Sequence, residues 1–288
     1  MWALCRACDA KRLTLPVAYA HMHAQMAECP AGNFLVVAEQ KAREGLTAAA
    51  ACVETLSAMN PMVDVATVPP PPATAEALGE YTAVVATRLS AADASALAAA
   101  CRASGVMLFV VDVRGGVGEA LCDLGPEHTF SEAKKKTLPD NEVVTEWSNA
   151  TLSYPSLASA FSGPWVGLHR KLSPAFGAMR AAQAAEAACS AQPGGLSAEK
   201  RGAEAAKAQA KALGFEREDV LEAAARVLAA AGIELPPVCA VVGGMVAQEV
   251  VKAVSKKGRP MAAQTMANAF FFDAFDQRGT YATVTPAL

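Results

Sequence analysis

The stretch AVVATRLSAADASALAAACRASGVMLFVVDV, which covers residues 83–113, decides the fold class. Its apolar runs at Ala83–Thr87 and Val106–Val113 are short and rich in valine, which is typical of buried strands. Between them, Ser90 is placed to cap a helix over Ala91–Ser104. Two strands separated by one helix form a parallel pair with a crossover helix. The stretch therefore predicts an α/β protein with a parallel, doubly wound sheet.

The same alternation extends towards the N-terminus. The pattern predicts a strand over Phe34–Val37, a helix over Lys41–Met59 and another strand over Val63–Val68. Asn60-Pro61 should end the helix, because a residue before proline is pushed out of the helical region. The upstream half thus predicts a further crossover unit of the same kind.

Downstream of the central stretch the pattern changes. A strand is predicted over Gly118–Leu124, and residues 125–154 are polar and are predicted to be irregular. Residues 155–256 are mostly helical in pattern, and the alanine-biased segment Ala181–Leu213 predicts a loosely packed or partly exposed part of them. Two strand-like runs around a turn at Asp276–Gly279 predict a closing hairpin.

The N-terminal segment fits neither the strand period nor the helix period. We expect residues 1–31 to form an irregular or loosely helical leader. The main domain is then placed at residues 32–288, with a helical insert at about 155–235. Without a strand from the leader, the sheet would lack its usual central strand and would expose the apolar runs at 83–87 or 106–113.

Four residues of this segment mimic a zinc cluster, namely Cys5, Cys8, His21 and His23. The two histidines are separated by a single residue, whereas a finger-type site needs three to five residues between them. We therefore expect no metal site on this chain.

Composition argues against several classes of protein, namely nucleic-acid binders, disordered chains, secreted proteins and membrane proteins. The formal charge is −3 and the pI about 5.9, whereas a general nucleic-acid binder would carry a basic stripe. Hydrophobic residues make up 53% of the chain and charged residues 18%, which excludes a wholly disordered chain. Charged residues between Arg6 and Arg12 interrupt any secretory leader, so we expect an intracellular protein with reduced thiols. The longest uncharged apolar run, Val238–Val246, is too short to cross a membrane.

The run Arg114-Gly115-Gly116-Val117-Gly118 follows a strand, where a dinucleotide-binding loop would lie. Counting from Gly116, the third glycine position of that fingerprint is Leu121, and no helix follows to direct its N-terminus at a phosphate. We predict a tight strand-to-strand turn here and no cofactor-binding residue on this chain.

Nucleophilic chemistry is not indicated either. His128 and His169 share no motif with a cysteine. The cysteines in apolar elements are interpreted as structural thiols: Cys101, Cys122 and Cys239. The lysines at 134–136 could form a nuclear address or a phosphate contact, but a solvated loop is the simpler interpretation.

The segment PPVCAVVGGMVAQEVVKA, residues 236–253, predicts a helix opened by proline. Gly243 and Gly244 lie in its interior, where each costs about 1 kcal/mol relative to alanine. We therefore expect both to be buried against a neighbouring helix or a partner subunit that comes very close. Gln248 and Glu249 follow, as expected of a buried or interfacial helix with one specific polar contact.

This helix, together with Asn268–Asp273, closely resembles the C-terminal part of the adenylation fold in ubiquitin-like-protein-activating enzymes. Asn60-Pro61-Met62-Val63 resembles the Asn-Pro-Met-Val motif of the small, non-catalytic subunit of the SUMO-activating enzyme. Leu124–Phe130 and Phe161–Trp165 are similar to segments that follow in the same subunit. The resemblance covers about residues 32–288 and implies a ThiF-like, Rossmann-type fold.

The resemblance implies a function in a heterodimer of the nucleus, and also of the cytoplasm. In that complex the large partner subunit holds ATP and Mg²⁺, adenylates the C-terminal glycine of SUMO and passes it to its own cysteine as a thioester. No catalytic, cofactor or metal residue is implied for this chain. The residues with an implied interface or structural role are Asn60, Pro61, Gly243, Gly244, Gln248 and Glu249.

Family members begin with a helix carrying an arginine, followed by a strand, a glycine-rich turn and a helix, which residues 1–31 do not match. The resemblance thus implies the family fold without its first βαβ unit. One alternative is a catalytically dead, truncated homologue that acts only as a binding or scaffold protein. Another is a free-standing Rossmann-type enzyme for a small metabolite, which the failed glycine fingerprint disfavours.

Overall fold

The computed structural model describes most of the chain. The described residues are 2–8, 12–18, 35–36, 48–67, 71–137, 143–162, 173–190, 199–230, 233–261 and 267–284. Within them the protein is a mixed α/β fold with an eight-stranded sheet and a separate two-stranded sheet. The predicted α/β character is confirmed.

The strands and helices are numbered here in chain order. The strands are β1 Trp2–Cys8, β2 Arg12–Ala18, β3 Val63–Thr67, β4 Ala83–Thr87, β5 Met107–Arg114, β6 Val117–Asp123, β7 His128–Thr137, β8 Val143–Leu152, β9 Ala269–Asp273 and β10 Arg278–Ala282. The helices are α1 Ala48–Met59, α2 Ala75–Leu78, α3 Ala91–Ser104, α4 Leu157–Ser162, α5 Pro174–Ser190, α6 Glu199–Ala212, α7 Glu218–Ala229 and α8 Pro236–Ser255.

The large sheet has the strand order β10-β9-β6-β5-β4-β1-β2-β3. β2 is parallel to β3 and β4 is parallel to β5, whereas the other neighbouring pairs are antiparallel. The expectation of a parallel sheet is confirmed for these two pairs and is wrong for the rest. Short turns, which can join only antiparallel strands, connect β5 to β6 and β9 to β10.

The unit β4-α3-β5 forms as the sequence predicts. Ser90 Oγ accepts a hydrogen bond from the Asp93 amide at 3.1 Å and caps α3. Gly105 ends the helix with a φ of 70°, a left-handed conformation that glycine adopts without steric cost. β5 is buried along almost its whole length, because helices cover both faces of the sheet.

The upstream unit is confirmed in part. β3 has the predicted position, and α1 ends at Met59, directly before Asn60-Pro61. Leu35 and Val36 lie in a turn rather than in the predicted strand. The Thr55 hydroxyl of α1 donates to the Leu35 carbonyl at 2.7 Å, so this turn is fixed against the helix instead of pairing with a strand.

The expectation of an irregular or helical N-terminus is wrong for the two segments that the structure describes. β1 pairs antiparallel with β2 and with β4, and β2 pairs parallel with β3. β4 therefore has a strand on both sides, and the predicted exposure of residues 83–87 and 106–113 is also wrong. The predicted boundary between residues 31 and 32 lies outside the described residues.

The polar segment 125–154 is not irregular, as predicted, but contains the hairpin β7-β8. The base of the hairpin is attached to the rest of the fold. His128 and Phe130 are buried, and Ser131 exchanges two backbone hydrogen bonds of 2.8 Å with Lys256 and Gly258. Its outer part is exposed, including Trp147 at 65%. A hairpin with two solvated faces has no apolar alternation, so its sequence resembles that of a loop.

The helices form a layer on each face of the large sheet. Successive side chains of β5 point to opposite faces. Leu108 and Val110 belong to a core with α3, α4 and α5, whereas Phe109 and Val111 belong to a core with α8. The continuous apolar run of β5 therefore fills two cores at once.

The alanine-rich segment is partly exposed, as expected, at Ala187, Ala208 and Ala212, whereas its other described alanines include several that are tightly packed. The described alanines of α5 and α6 with no more than 1% of their surface exposed are Ala178, Ala181, Ala182, Ala185, Ala206 and Ala210. A methyl group at these positions lets α5, α6 and α7 approach one another closely. We refer to these three helices as the helical layer.

Candidate functional site: the outer face of helix α8

Helix α8 lies on β5, β6 and β9 with one apolar stripe. The buried residues of the helix are Val238, Val242, Val246, Glu249 and Ala253. They recur every three to four residues, which is the period of one helix face. Pro236 occupies the first turn, and Lys256 ends the helix with a φ of 53°. The helix begins where the sequence predicts and extends to Ser255, two residues beyond the predicted end at Ala253.

The close approach between α8 and the sheet occurs at Gly118 of β6. A β-carbon on Gly118 would lie 2.6 Å from Val242 Cγ2 and 3.5 Å from Val238 Cγ1. The sequence did not indicate a packing role for Gly118. That role depends on the position of the glycine beneath an apolar helix, which only the fold shows. Gly118 allows the helix axis to lie nearer to β6 than any other residue would permit.

The opposite side of α8, which we call the outer face, is exposed and almost entirely apolar. It consists of Ala240, Val241, Gly243, Gly244, Ala247, Gln248 and Val251. Val241 is 43% exposed and Val251 is 65% exposed. An exposed helix face normally carries charged and polar side chains, so a face with one polar residue in seven is typical of an interaction surface.

The expectation that a neighbouring helix of this chain covers the glycine pair is wrong. Gly243 and Gly244 are both exposed, and a β-carbon on either would meet no atom within 4 Å among the described residues. The other half of that expectation, a partner subunit in close approach, stays a prediction.

Gln248 and Glu249, predicted together, have different environments. Glu249 is 2% exposed, accepts a hydrogen bond from the Met261 amide and pairs with Lys252 Nζ at 2.8 Å. Its polar contact is therefore within this chain and ties α8 to the segment that follows it. Gln248 is exposed and is the polar group of the outer face.

α8 is also long and apolar enough, by length and composition alone, to cross a membrane. The sequence-based expectation of no such segment counted only uncharged residues and missed this helix. The stripe of Val238, Val242 and Val246 nevertheless packs on the sheet, as in the core helix of a folded domain.

The Asn-Pro pair lies elsewhere on the molecule. Asn60 and Pro61 form an exposed turn before β3, in which Asn60 Oδ1 accepts from the Met62 amide at 3.1 Å. The flanking Met59 and Met62 are 64% and 75% exposed. β3 is at one edge of the sheet, and β4, β1 and β2 separate it from the strands beneath α8. The structure therefore does not bring the six predicted residues into one site.

The glycine run at 114–118 forms the predicted strand-to-strand turn. Gly115 has a φ of 58°, and its amide donates to the Ile233 carbonyl at 2.8 Å. A β-carbon on Gly115 would lie 2.4 Å from the Ala230 side chain, and one on Gly116 would lie 2.6 Å from the Phe275 ring. The turn is thus covered by this chain's own residues and does not fit the phosphates of a nucleotide.

The thiols are poorly suited to nucleophilic chemistry. Burial raises the pKa of Cys101 to about 12, and burial raises the pKa of Cys122 as well. Cys239 is half-buried, and its pKa is raised chiefly by burial. The prediction of structural thiols is consistent with these environments, because a thiolate is the reactive form.

The remaining predicted features fall partly outside the described residues. His128 is buried against Phe130 and Tyr154, and burial lowers its pKa. Lys134 is exposed, in a strand rather than a loop. Among the residues searched in the described part of the chain, no group of three or more potential ligands could hold a metal ion. The undescribed histidines are His21, His23 and His169.

Comparison with known proteins decides the family, although no protein-family model matches the chain. SUMO-activating enzyme subunit 1B-1 of Arabidopsis thaliana is 31% identical over 253 residues, which is 86% of this chain and 74% of the relative. SUMO-activating enzyme subunit 1A of the same plant is 30% identical over 256 residues, with the same two coverages. The chain belongs to the SUMO-activating enzyme subunit 1 family.

Membership of the subunit 1 family confirms the resemblance drawn from the Asn-Pro turn and α8. Among solved structures, the selenomethionine form of PaaA has a TM-score of 0.42 and is 11% identical, covering 87% of this chain and 58% of PaaA. That likeness is too slight to support an argument. In this member of the subunit 1 family, the outer face of α8 is the candidate site.

Proposed function

We propose that this chain is the small, non-catalytic subunit of a SUMO-activating enzyme. The family supports this function, since its relatives are named as subunits of that enzyme. The single structural observation that supports it is the exposed apolar outer face of α8. The chain would complete a heterodimer of doubly wound, ThiF-like domains in the nucleus.

The partner on the outer face is the large, cysteine-bearing subunit. Burying Val241 and Val251 there would remove apolar surface from water, which is the main favourable term in stable association. Gly243 and Gly244 offer bare helix backbone, so a partner element can approach within a distance that longer side chains would prevent. Gln248 supplies a hydrogen-bonding group that can fix the register of the two subunits.

ATP and Mg²⁺ belong to the large subunit in this proposal. They supply the adenylation of the SUMO C-terminus, which precedes thioester formation on the partner's cysteine. In this chain the turn at Gly115 and Gly116 is covered and cannot cradle phosphate. The role of this chain is to hold the large subunit in a conformation that can carry out adenylation. The isolated chain would therefore have no enzymatic activity.

Co-expression with the large subunit tests the proposal. The two chains should copurify on size exclusion, and a SUMO thioester should form on the large subunit only when both chains, ATP and Mg²⁺ are present. A stable heterodimer without thioester formation would instead favour the scaffold alternative. Failure of the chains to associate would contradict the proposal.

A further inference from the structure

Phe275 lies in the turn between β9 and β10 and exposes an aromatic ring to solvent. Its side chain is 62% exposed. Among the side chains that the structure describes, Trp147 is the one other exposed aromatic residue. A single exposed apolar side chain is ordinary, so the ring has functional meaning only if it belongs to a larger apolar surface.

The ring of Phe275 is held in a fixed position. Its edge packs on Gly116, where a β-carbon would lie 2.6 Å from Phe275 Cε2. The Arg226 guanidinium of α7 lies over the ring, 5.2 Å from its centroid. The Phe275 amide donates to Asp273 Oδ1 at 2.9 Å, which fixes the turn itself. A ring that is already ordered loses little conformational entropy when a partner covers it.

The loop that leads into α8 lies directly beside this turn. The Gly115 amide donates to the Ile233 carbonyl at 2.8 Å. The Ala274 amide donates to the carbonyl of the next glycine, Gly116, also at 2.8 Å. Because the two glycines are consecutive, these bonds hold the Ile233 loop and the Phe275 turn side by side.

The exposed apolar surface continues from this loop onto the outer face of α8. Leu235, Pro236 and Pro237 are exposed, and Pro237 precedes Val241 by about one helical turn. Nine large apolar side chains are exposed among the described residues, and five of them lie along this path: Ile233, Leu235, Val241, Val251 and Phe275. We call the outer face together with Ile233, Leu235, Pro236, Pro237 and Phe275 the extended face.

The outer face alone is too small for a stable interface between subunits. It extends from Ala240 to Val251, which is about 18 Å along the helix axis. A helix with its side chains is about 10–12 Å across, so this face offers a footprint of roughly 200 Å². A standard stable interface buries about 800 Å² on each partner. A subunit that binds α8 stably therefore has to cover neighbouring surface as well.

The two ends of α8 differ in chemistry and show in which direction the interface extends. Beyond the outer face at the C-terminal end, the exposed residues are Ser255, Lys256 and Lys257, all of which are polar. At the N-terminal end, Ile233 and Leu235 are exposed and apolar. Interfaces have an apolar centre and a polar rim. The lysines therefore mark the rim, and the apolar centre continues over the N-terminal end.

We propose that Phe275 is an anchor residue for the large subunit, which covers the extended face from Val251 to the Phe275 ring. This inference rests on the proposed function, because it assigns the same partner to a larger surface. Aromatic side chains are frequent among the few residues that dominate binding energy. A ring held by Gly116 and Arg226 is pre-organised for such a contact.

Affinity measurements with the full chain and the purified large subunit test the anchor. Phe275→Ala should weaken the heterodimer on the order of 30-fold in titration calorimetry, which is the effect of a hot-spot residue. Trp147→Ala is the matched control and should leave the affinity unchanged, because the hairpin that carries Trp147 contacts the opposite end of α8. Both variants should keep the circular dichroism of the unaltered chain, because both rings are exposed.

Hydroxyl-radical footprinting of the unaltered chain is a second test, which requires no variant. Oxidation of Phe275 should fall when the large subunit is bound, whereas oxidation of Trp147 should not change. The proposal would be overturned by unchanged affinity in Phe275→Ala, by an equal loss of affinity in Trp147→Ala, or by equal oxidation of Phe275 in the free and bound chain. Each of these results leaves the proposed function intact. If the unaltered chain does not bind the large subunit, the proposed function fails and this inference fails with it.

Discussion

Gly118 of β6 and Val242 of α8 are in such close contact that a β-carbon on the glycine would lie 2.6 Å from Val242 Cγ2. This contact sets the height of α8 above the sheet and so presents the outer face of the helix to solvent. Gly118 therefore contacts the buried side of α8, whereas Gly243 and Gly244 lie on its exposed side.

Replacing glycine by alanine should have opposite effects on these two sides. Gly118→Ala should lower the free energy of unfolding by about 1–3 kcal/mol, because the added methyl overpacks Val242 and Val113. Gly243→Ala should raise it by up to about 1 kcal/mol, because the site is open and alanine is the better helix former. Urea unfolding of both variants measures this, and equal effects would contradict the packing described here.

Gly244→Leu should separate assembly from folding. The isolated variant should keep its helical circular dichroism, because the new side chain points into open space. Its heterodimer with the large subunit should be lost on size exclusion, because leucine would overpack the partner. Ala208→Leu, an equally exposed helical position on α6, is the matched control and should assemble normally. Normal assembly of Gly244→Leu would place the partner elsewhere.

The parts of the fold that follow from local signals could be predicted from the sequence. Ser90 and Gly105 bound α3 because a capping hydroxyl and a left-handed glycine act within a few residues. Strand β2 could not be recognised in this way, because its sequence, RLTLPVA, becomes a strand through pairing with β1 and with β3 some 50 residues away. The hairpin β7-β8 was missed for a different reason, because its outer part is solvated on both faces and so shows no apolar alternation.

The candidate site shows the same division. The apolar residues of α8 and its glycine pair were visible in the sequence, but which side of the helix they occupy depends on where the sheet lies. Glu249 is buried and Gln248 is exposed, although the two are adjacent and similar in size. The buried ion pair of Arg180 on α5 with Glu119 on β6 was not predicted either, since it joins residues 61 positions apart.

Asn268 should be essential for the C-terminal hairpin. Its side chain is fully buried, donates to the Val284 carbonyl at 2.8 Å and accepts from the Val284 amide at 2.7 Å. Asn268→Ala leaves two buried backbone groups unsatisfied and should cost at least about 2 kcal/mol in urea unfolding. Asn149→Ala, at an exposed asparagine of β8, should be nearly neutral. A neutral Asn268→Ala would show that the backbone of Val284 finds other partners.

The cysteines should react with iodoacetamide in order of burial. At pH 8 the raised pKa keeps the buried thiol of Cys101 protonated and unreactive, and Cys122 should behave likewise. Cys239 is half-buried on α8 and should be alkylated before Cys101 and Cys122. Mass spectrometry of the native chain measures the order, with urea-unfolded chain as the control in which all three react. Early alkylation of Cys101 would contradict its burial on the inner face of α3.

The isolated chain should not bind ATP specifically, and the reason lies in the turn between β5 and β6. A phosphate cradle needs free backbone amides at a helix N-terminus, whereas the Gly115 amide is used by the Ile233 carbonyl and a strand follows the turn. Ala230 and Phe275 occupy the space that phosphate would need. Calorimetry with ATP and Mg²⁺ should give no binding heat for this chain alone, whereas its complex with the large subunit should bind. Specific, Mg²⁺-dependent binding of ATP by the pure chain would show that a nucleotide site exists outside the residues described.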